Sequence, residues 1–301
     1  MVPRLHQGSA FFVRAASCLL ALCLLMGCDD SSETGQPRPP ATNVPHGTID
    51  LANNTAAITP RARAIAALET NARATGHRSF TLEDNGSPLA VVIEIDLRRF
   101  EPVLLNKASG IRPGLAVADP HTGVVIGSGF VSPVRAMEPI GLLQYEGEVR
   151  SGIEQHGYTR ILGISGQPSR FNVVHRSQWL PDMFRSALQA GPGIVEAGQL
   201  DISERDLQRP KYFRSFVAEC GDHALTGISV IPTNLHTLGN ALVDLFAREN
   251  LACSEVVNLA GDREAVLLVS NQTTAAYIGD PQPRKAALIA FRNRNKEKPT
   301  P

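Results

Sequence analysis

The chain has 301 residues, with 29 Lys and Arg against 29 Asp and Glu. That balance argues against a nucleic-acid partner, because a polyphosphate ligand demands a basic face. Hydrophobic residues make up 43% of the chain and aromatics 5%, enough to bury one large core or two small ones. Arg4 and Arg14 precede an apolar run over residues 15–26, AASCLLALCLLM, the length of a secretory h-region and short for a membrane span. The run ends in Leu25, Met26, Gly27 and Cys28, which resembles a lipobox, so residues 1–27 are expected to be a lipoprotein signal peptide cut before Cys28. Lipid on that thiol, with palmitate among its acyl chains, would anchor the protein stably to a membrane. Loss of two arginines leaves 27 basic against 29 acidic residues in the mature chain. The expected location is the bacterial cell envelope, facing the periplasm, with the inner membrane favoured if Asp29 acts as a retention signal. No later apolar run reaches membrane-spanning length.

Residues 28–79 are expected to be the lipidated tether. Ser, Thr, Asn, Pro and Gly dominate its first half, and residues 61–74 form a short peripheral helix with Ile65 and Leu68 as its large apolar residues. A folded domain is expected over 80–291. Its first strand is LAVVIEID at 89–96, and strand side chains alternate, so Glu94 and Asp96 share a face. Apolar, β-branched segments at 102–105, 115–118, 123–126, 140–145, 160–164 and 171–174 follow as further strands. GPGIVEAG at 191–198 reads as a glycine-bounded strand. A pair at 212–219 and 224–231 joins at Gly221 and Asp222. Leu238, Ala241, Leu242, Leu245 and Phe246 repeat at helical spacing, which predicts a helix over 238–249 with Thr237 as N-cap. Strands at 256–259 and 265–269 close the domain before a polar tail at 292–301. The fold class is α+β, mostly β-sheet with few helices.

Cys18 and Cys23 leave with the signal, and Cys28 takes lipid. Cys220 and Cys253 remain, either bonded to each other or as two separate buried thiols. Without CxxC or clustered histidines no metal site is expected. Nucleophile elbow, HExxH, P-loop and dinucleotide fingerprint are all missing from the sequence, so no cofactor is expected. What stands out is a series of turns where small residues meet polar ones: Gly127, Ser128 and Gly129; Gln189, Gly191 and Pro192; Arg214 and Ser215; Asn258, Gly261 and Asp262. Glycines let backbone N–H groups approach an anion, and the fork of Arg214 suits a phosphate.

The order and spacing of these turns over roughly 88–270 resemble the phosphodiester glycosidase domain family, the family of the uncovering enzyme. VVIEIDLRRFEPVLL at 91–105 is similar to its opening strand and loop. Its Asn-Gly-Gly-Phe-Phe segment is matched by Gly127 to Val131, and its Gln-Ser-Gly-Pro segment by Gln189 to Pro192. Its late Asn-Leu-Asp-Gly-Gly-Gly-Ser turn is matched by Asn258 to Glu264. Three departures bear on activity. Gly127 stands for the family's Asn, Ala260 for its Asp, and Asp262, Arg263 and Glu264 replace two glycines and the serine.

The resemblance implies a membrane-anchored hydrolase of a sugar-1-phosphodiester or related envelope glycoconjugate. Arg214 would hold the phosphodiester, Asp262 would supply acid–base catalysis, and Glu138 or Glu219 would be the second carboxylate. Gln189, Gly191, Pro192, Ser215, Asn258 and the 127–129 turn would contact the substrate. The departures imply the alternative, a catalytically inactive member that keeps a cleft for a glycan or sugar phosphate, or a scaffold surface in the envelope.

Overall fold

The computed structural model describes residues 43–132, 137–167 and 169–294. The expected signal peptide and lipidated Cys28 lie outside the described residues. In chain order come β1 (His46–Asp50), β2 (Thr55–Ile58), α1 (Arg61–Ala74), β3 (Arg78–Asp84), β4 (Ser87–Asp96), β5 (Phe100–Ile111) and the short α2 (Pro113–Val117). Then follow β6 (Thr122–Ser128), β7 (Leu143–Tyr145), β8 (Glu148–Ser151), β9 (Arg160–Ser165), β10 (Arg170–His175), β11 (Ser186–Ala190), β12 (Gly193–Glu196) and β13 (Gln199–Leu200). The chain ends with β14 (Arg214–Cys220), β15 (His223–Ser229), α3 (Leu235–Glu249), β16 (Glu255–Gly261), β17 (Leu267–Ser270), β18 (Thr274–Ile278) and β19 (Lys285–Asn293).

These strands make three antiparallel sheets. The first runs β2-β1-β18-β17-β6-β19-β5, the second β13-β12-β16-β14-β15-β4-β3, and the third β10-β9-β11-β7-β8. β4 shows why the layers stack. Val91, Ile93 and Ile95 join the central core with Val124 and Ile126 of β6 and Ile289 and Phe291 of β19. Ala90 and Val92, on the other face, join Leu238, Leu242 and Leu245 of α3. A strand covered on both faces therefore reads as a nearly continuous apolar run. α3 matches the expected amphipathic pattern but starts three residues earlier. Asn234, not Thr237, is the N-cap, and its Oδ1 accepts from the Thr237 amide at 2.7 Å. Asp206 adds a remote cap, accepting from the Leu235 amide at 2.6 Å and the His236 amide at 3.2 Å.

Four local expectations are corrected. In place of the strand expected at 115–118, residues 113–117 form a helical turn, because Pro113 occupies its first turn and cannot donate to a ladder. α1 is not peripheral. Its Ala64, Leu68 and Ala72 are fully buried, and burying a leucine such as Leu68 contributes about 2 kcal/mol. The folded body reaches back to β1, which pairs with β18 inside the first sheet, so the tether expected over 28–79 contains folded elements. At the other end, β19 continues through Arg292 and Asn293, past the expected start of the tail. Among the described residues, no helix is long and apolar enough to cross a membrane.

Candidate functional site

The turns singled out in the sequence converge where the three sheets meet. β6 ends at Ser128, β14 begins at Arg214, β16 ends at Gly261, and the 190–193 segment carries the chain from β11 in the third sheet to β12 in the second. Hydrogen bonds sew these ends together. The Ser215 hydroxyl donates to the Gly127 carbonyl at 3.2 Å, tying the second sheet to the first. The Gly127 amide donates to Val266 O at 2.8 Å, the Gly129 amide to Leu259 O at 3.2 Å and the Gly191 amide to Asn258 O at 2.8 Å. Asn258 returns two bonds, from its amide to Pro192 O at 3.2 Å and from Nδ2 to Gly191 O at 3.1 Å.

This seam corrects several expected substrate contacts. Gln189 is completely buried, and its carboxamide is spent on the protein. Oε1 accepts from the amides of Leu142 at 3.0 Å and Glu154 at 2.8 Å, while Nε2 donates to the carbonyls of Glu154 and Tyr158, each at 2.7 Å. Ser215 and Asn258 are buried just as deeply. The amides of Gly127, Gly129 and Gly191 already donate within the fold, so they are not open to an anion. Glu219, one of the two candidate second carboxylates, accepts from the Val173 amide at 2.8 Å and from Asn172 Nδ2 at 3.2 Å, holding the edge of β10. Glu138, the other, is exposed. Ser128 is buried, and its hydroxyl has no hydrogen-bond partner among the described residues.

The substitutions at 127 and 262–264 belong together. A Cβ added to Gly127 would run into the carbonyl oxygen of Glu264 and come within 2.9 Å of a Val266 methyl. The space an asparagine side chain would need is filled by the rebuilt turn. Lys285, only 2% exposed, holds that turn in place: its ammonium donates to the Arg263 carbonyl and faces the Glu264 carboxylate at 3.5 Å. Burial lowers the Lys285 pKa, and Glu264 opposes that shift. Ala260 is fully buried, so its methyl fills a position where the resemblance has a carboxylate.

Arg214 and Asp262 do come together. Arg214 pairs with Gly261 across the β14–β16 ladder, and the Asp262 amide donates to Phe213 O at 2.9 Å. The Arg214 guanidinium stacks over Tyr212, 4.9 Å from the ring centroid. Burial lowers its pKa, while the negative charges of Asp206 and Asp262 raise it. Its Nε is buried without a partner, and the side chain makes no ion pair among the described residues. The Asp206 carboxylate, committed to α3, is not free for chemistry.

Two polar clusters escaped the sequence. Arg160 is 4% exposed and meets Glu196 at 3.0 Å, Asp201 at 2.9 Å and Glu255 at 3.4 Å, bracing β9 against β12 and β16. His77, in the turn after α1, is 5% exposed, tilts against Phe100 with centroids 4.4 Å apart, and has no partner for either ring nitrogen among the described residues. Burial, helped by the Arg99 charge, lowers its pKa from 6.5 to about 4. The unfolded chain therefore takes up a proton below pH 6.5 that the folded ring refuses. The neutral ring's contribution is complete above 6.5 and is lost as the pH falls toward 4, by about 1.4 kcal/mol per pH unit. Urea midpoints measured across that window should show this slope, and His77→Phe should remove its share. Equal slopes in the two chains would assign the acid sensitivity elsewhere.

No family profile matches the sequence, and neither does any curated protein. Among solved structures, the chain is similar to the zebrafish N-acetylglucosamine-1-phosphodiester alpha-N-acetylglucosaminidase catalytic domain, auto-inhibited by its pro-peptide. The TM-score is 0.51 at 12% identity, covering 72% of this chain and 88% of that one. A hypothetical protein from Synechocystis matches with a TM-score of 0.47 at 13% identity, over 72% of this chain and 62% of that one. The mostly-β architecture is thus that of the glycosidase catalytic domain at the level of fold. Among the described residues, no group of three or more His, Cys, Asp or Glu is placed to hold a metal ion.

Proposed function

We propose that this chain is a lipid-anchored protein of the bacterial envelope that binds a sugar phosphate or sugar-1-phosphodiester at Arg214 without cleaving it. The observation that carries the reading is the state of Arg214. A largely desolvated guanidinium with no ion pair among the described residues, at the meeting point of three sheets, is stabilised by an anion. The planar fork suits phosphate, and Tyr212 beside it offers a face for a sugar ring. The fold is consistent with such a ligand, since its solved counterpart is named for a phosphodiester of N-acetylglucosamine.

Cleavage lacks its parts. Glycoside hydrolysis commonly uses two carboxylates, and the positions that the resemblance marks carry the buried methyl of Ala260 and the bare backbone of Gly127. Asp206 and Glu219 are committed to the backbone. Asp262 is the acid that favours a hydrolase instead, because its charge acts on Arg214. The lipobox-like run ending at Cys28 supports attachment to the membrane, and Asp29 supports the inner one.

The test uses the full chain in detergent micelles. Calorimetry with N-acetylglucosamine-1-phosphate is expected to give saturable binding, weakened at least tenfold by Arg214→Ala and little changed by Asp262→Ala. N-acetylglucosamine-1-phosphodiesters and a nucleotide sugar should stay intact, and palmitate labelling in cells should be lost in Cys28→Ser. Turnover abolished by both Arg214→Ala and Asp262→Ala would replace binding by hydrolysis. Folded protein that neither binds nor cleaves would remove both readings.

A further inference from the structure

We propose that a basic hollow where β5 runs into α2 docks the headgroup of an anionic phospholipid, so that this face of the folded body lies against an acidic membrane surface. The contact is made by the body itself and does not depend on lipid at Cys28. The hollow has a volume of about 470 Å3, and Leu105, Lys107, Arg112, Leu115, Tyr145 and Arg284 line it. β5 is the outermost strand of the first sheet and Tyr145 belongs to β7 of the third, so the hollow opens at the joint between the two sheets.

A bulge in β5 shapes this rim. Asn106 pairs with Ala287 and Ile111 with Lys285, so residues 107–110 face the single residue Ala286 and stand out of the ladder. Gly110, at φ +72°, makes the bend. Arginine replaces the missing ladder: Arg284 Nη1 donates to Ser109 O at 3.2 Å and to Gly110 O at 3.0 Å. Asn106 anchors a second guanidinium. Its Nδ2 donates to Ala286 O at 2.8 Å, its Oδ1 accepts from Arg150 Nη1 at 2.5 Å, and Arg150 lies over the Tyr145 ring, 4.7 Å from the centroid. Two cations are thus fixed on the rim by the fold, and Lys107 is carried outward on the bulge.

The charge balance selects an anion. Asp119 is the acid of the lining among the described residues, and Arg292 pairs with it at 3.2 Å. Lys107, Arg112 and Arg284 are exposed and make no ion pair among the described residues, so their charge is left for a ligand. The apolar side of the hollow selects a lipid. Leu115 is 53% exposed, and Leu105, Ile111 and Tyr145 beside it are half-buried. A bare phosphate would satisfy the cations and leave that side wet. A phospholipid offers phosphate to Lys107, Arg112 and Arg284 and its glycerol and first methylenes to Leu115 and Tyr145, the pairing of basic and apolar side chains found at membrane interfaces.

Amide NMR on the full chain in neutral detergent micelles tests the site, with water-soluble dihexanoyl phosphatidylglycerol, dihexanoyl phosphatidylcholine and glycerol phosphate as separate titrants. Phosphatidylglycerol is expected to shift amides within 105–116 in a saturable way and at least tenfold more tightly than glycerol phosphate, while phosphatidylcholine leaves them in place. Lys107→Gln/Arg112→Gln, at exposed positions, should keep the dispersion of the spectrum and weaken binding at least tenfold. Leu115→Ser should weaken it about threefold. Arg214→Ala and Cys28→Ser should leave it unchanged, which separates this site from the sugar-phosphate reading and from the lipid anchor. The proposal is overturned if phosphatidylglycerol leaves these amides unmoved or phosphatidylcholine matches it. Glycerol phosphate binding as tightly as phosphatidylglycerol would make this a free-phosphate site, and oligoglutamate saturating 105–116 in place of the lipid would assign it to an acidic protein; either result also overturns it, as does a double variant that binds like the parent.

Discussion

Gln189→Ala is expected to destabilise the chain by about 4 kcal/mol or more and leave the affinity of the folded fraction for a sugar phosphate nearly unchanged. The carboxamide makes four hydrogen bonds, to the amides of Leu142 and Glu154 and the carbonyls of Glu154 and Tyr158. Each lies at 3.0 Å or less, and the residue has no exposed surface. Truncation strips partners from backbone groups that burial keeps from bulk water, at about 1–3 kcal/mol for each group left unmet, and opens a cavity as well. The segment 152–157 has no strand or helix of its own, so Gln189 supplies what a ladder would otherwise supply. Gln189→Glu should be nearly as costly, because a carboxylate would face the Glu154 and Tyr158 carbonyls without a proton to donate. Denaturant unfolding read beside ligand titration checks this. A variant as stable as the parent but weak in binding would return Gln189 to the ligand.

That outcome bears on how the sequence encodes the site. The convergence of turns was legible, because Gly, Pro and Asn punctuate strand ends for local reasons that need no tertiary context. The direction of the polar side chains was not. Gln189 in SALQA and Asn258 in EVVNLAG interrupt apolar strands, a pattern that announces a buried polar group but not its partners. Those partners lie between 31 and 67 residues away, beyond the reach of any window. Lys285 is similar: a lysine opening the apolar run KAALIAF gives no hint that it braces a turn 22 residues earlier. The fold shows the same division. β4 and α3 were readable from period and apolarity. α1 looked peripheral because Ala64, Ala72 and Asn71, which it buries, carry little hydrophobic signal. Asn71 is held instead by Nδ2 donation to the Val269 carbonyl at 2.9 Å. β18 and β19 have apolar sequences, and only their pairing with β1, β17, β6 and β5 shows that they belong to the first sheet.

Breaking the Cys220–Cys253 bond should cost about 3–4 kcal/mol, without changing the proposed sugar-phosphate binding at Arg214. The two sulfurs are bonded in the structure, joining the end of β14 to the segment before β16 across a sequence separation of 33 that encloses β15 and α3. In the chain-entropy account, a loop of that length removes freedom mainly from the unfolded ensemble, which gives the stated magnitude. Both cysteines are buried, at 8% and 5% exposure, among the residues that pack α3 on the second sheet. Alanine at both positions therefore adds a small packing loss to the entropic one. Arg214 opens the strand that Cys220 ends, so about 20 Å of sheet separates the cross-link from the guanidinium. The ladder of β14 with β15 and β16 holds that strand by backbone pairing of its own. Urea unfolding with and without reductant, repeated on Cys220→Ala/Cys253→Ala, should show the entropic drop for the reduced parent and a slightly larger one for the variant, with sugar-phosphate affinity constant throughout. If affinity falls with stability, the cross-link would be shaping the Arg214 end of β14. If reductant leaves the midpoint unmoved, the unfolded chain would already be compact around α3, and the bond would act chiefly by slowing unfolding.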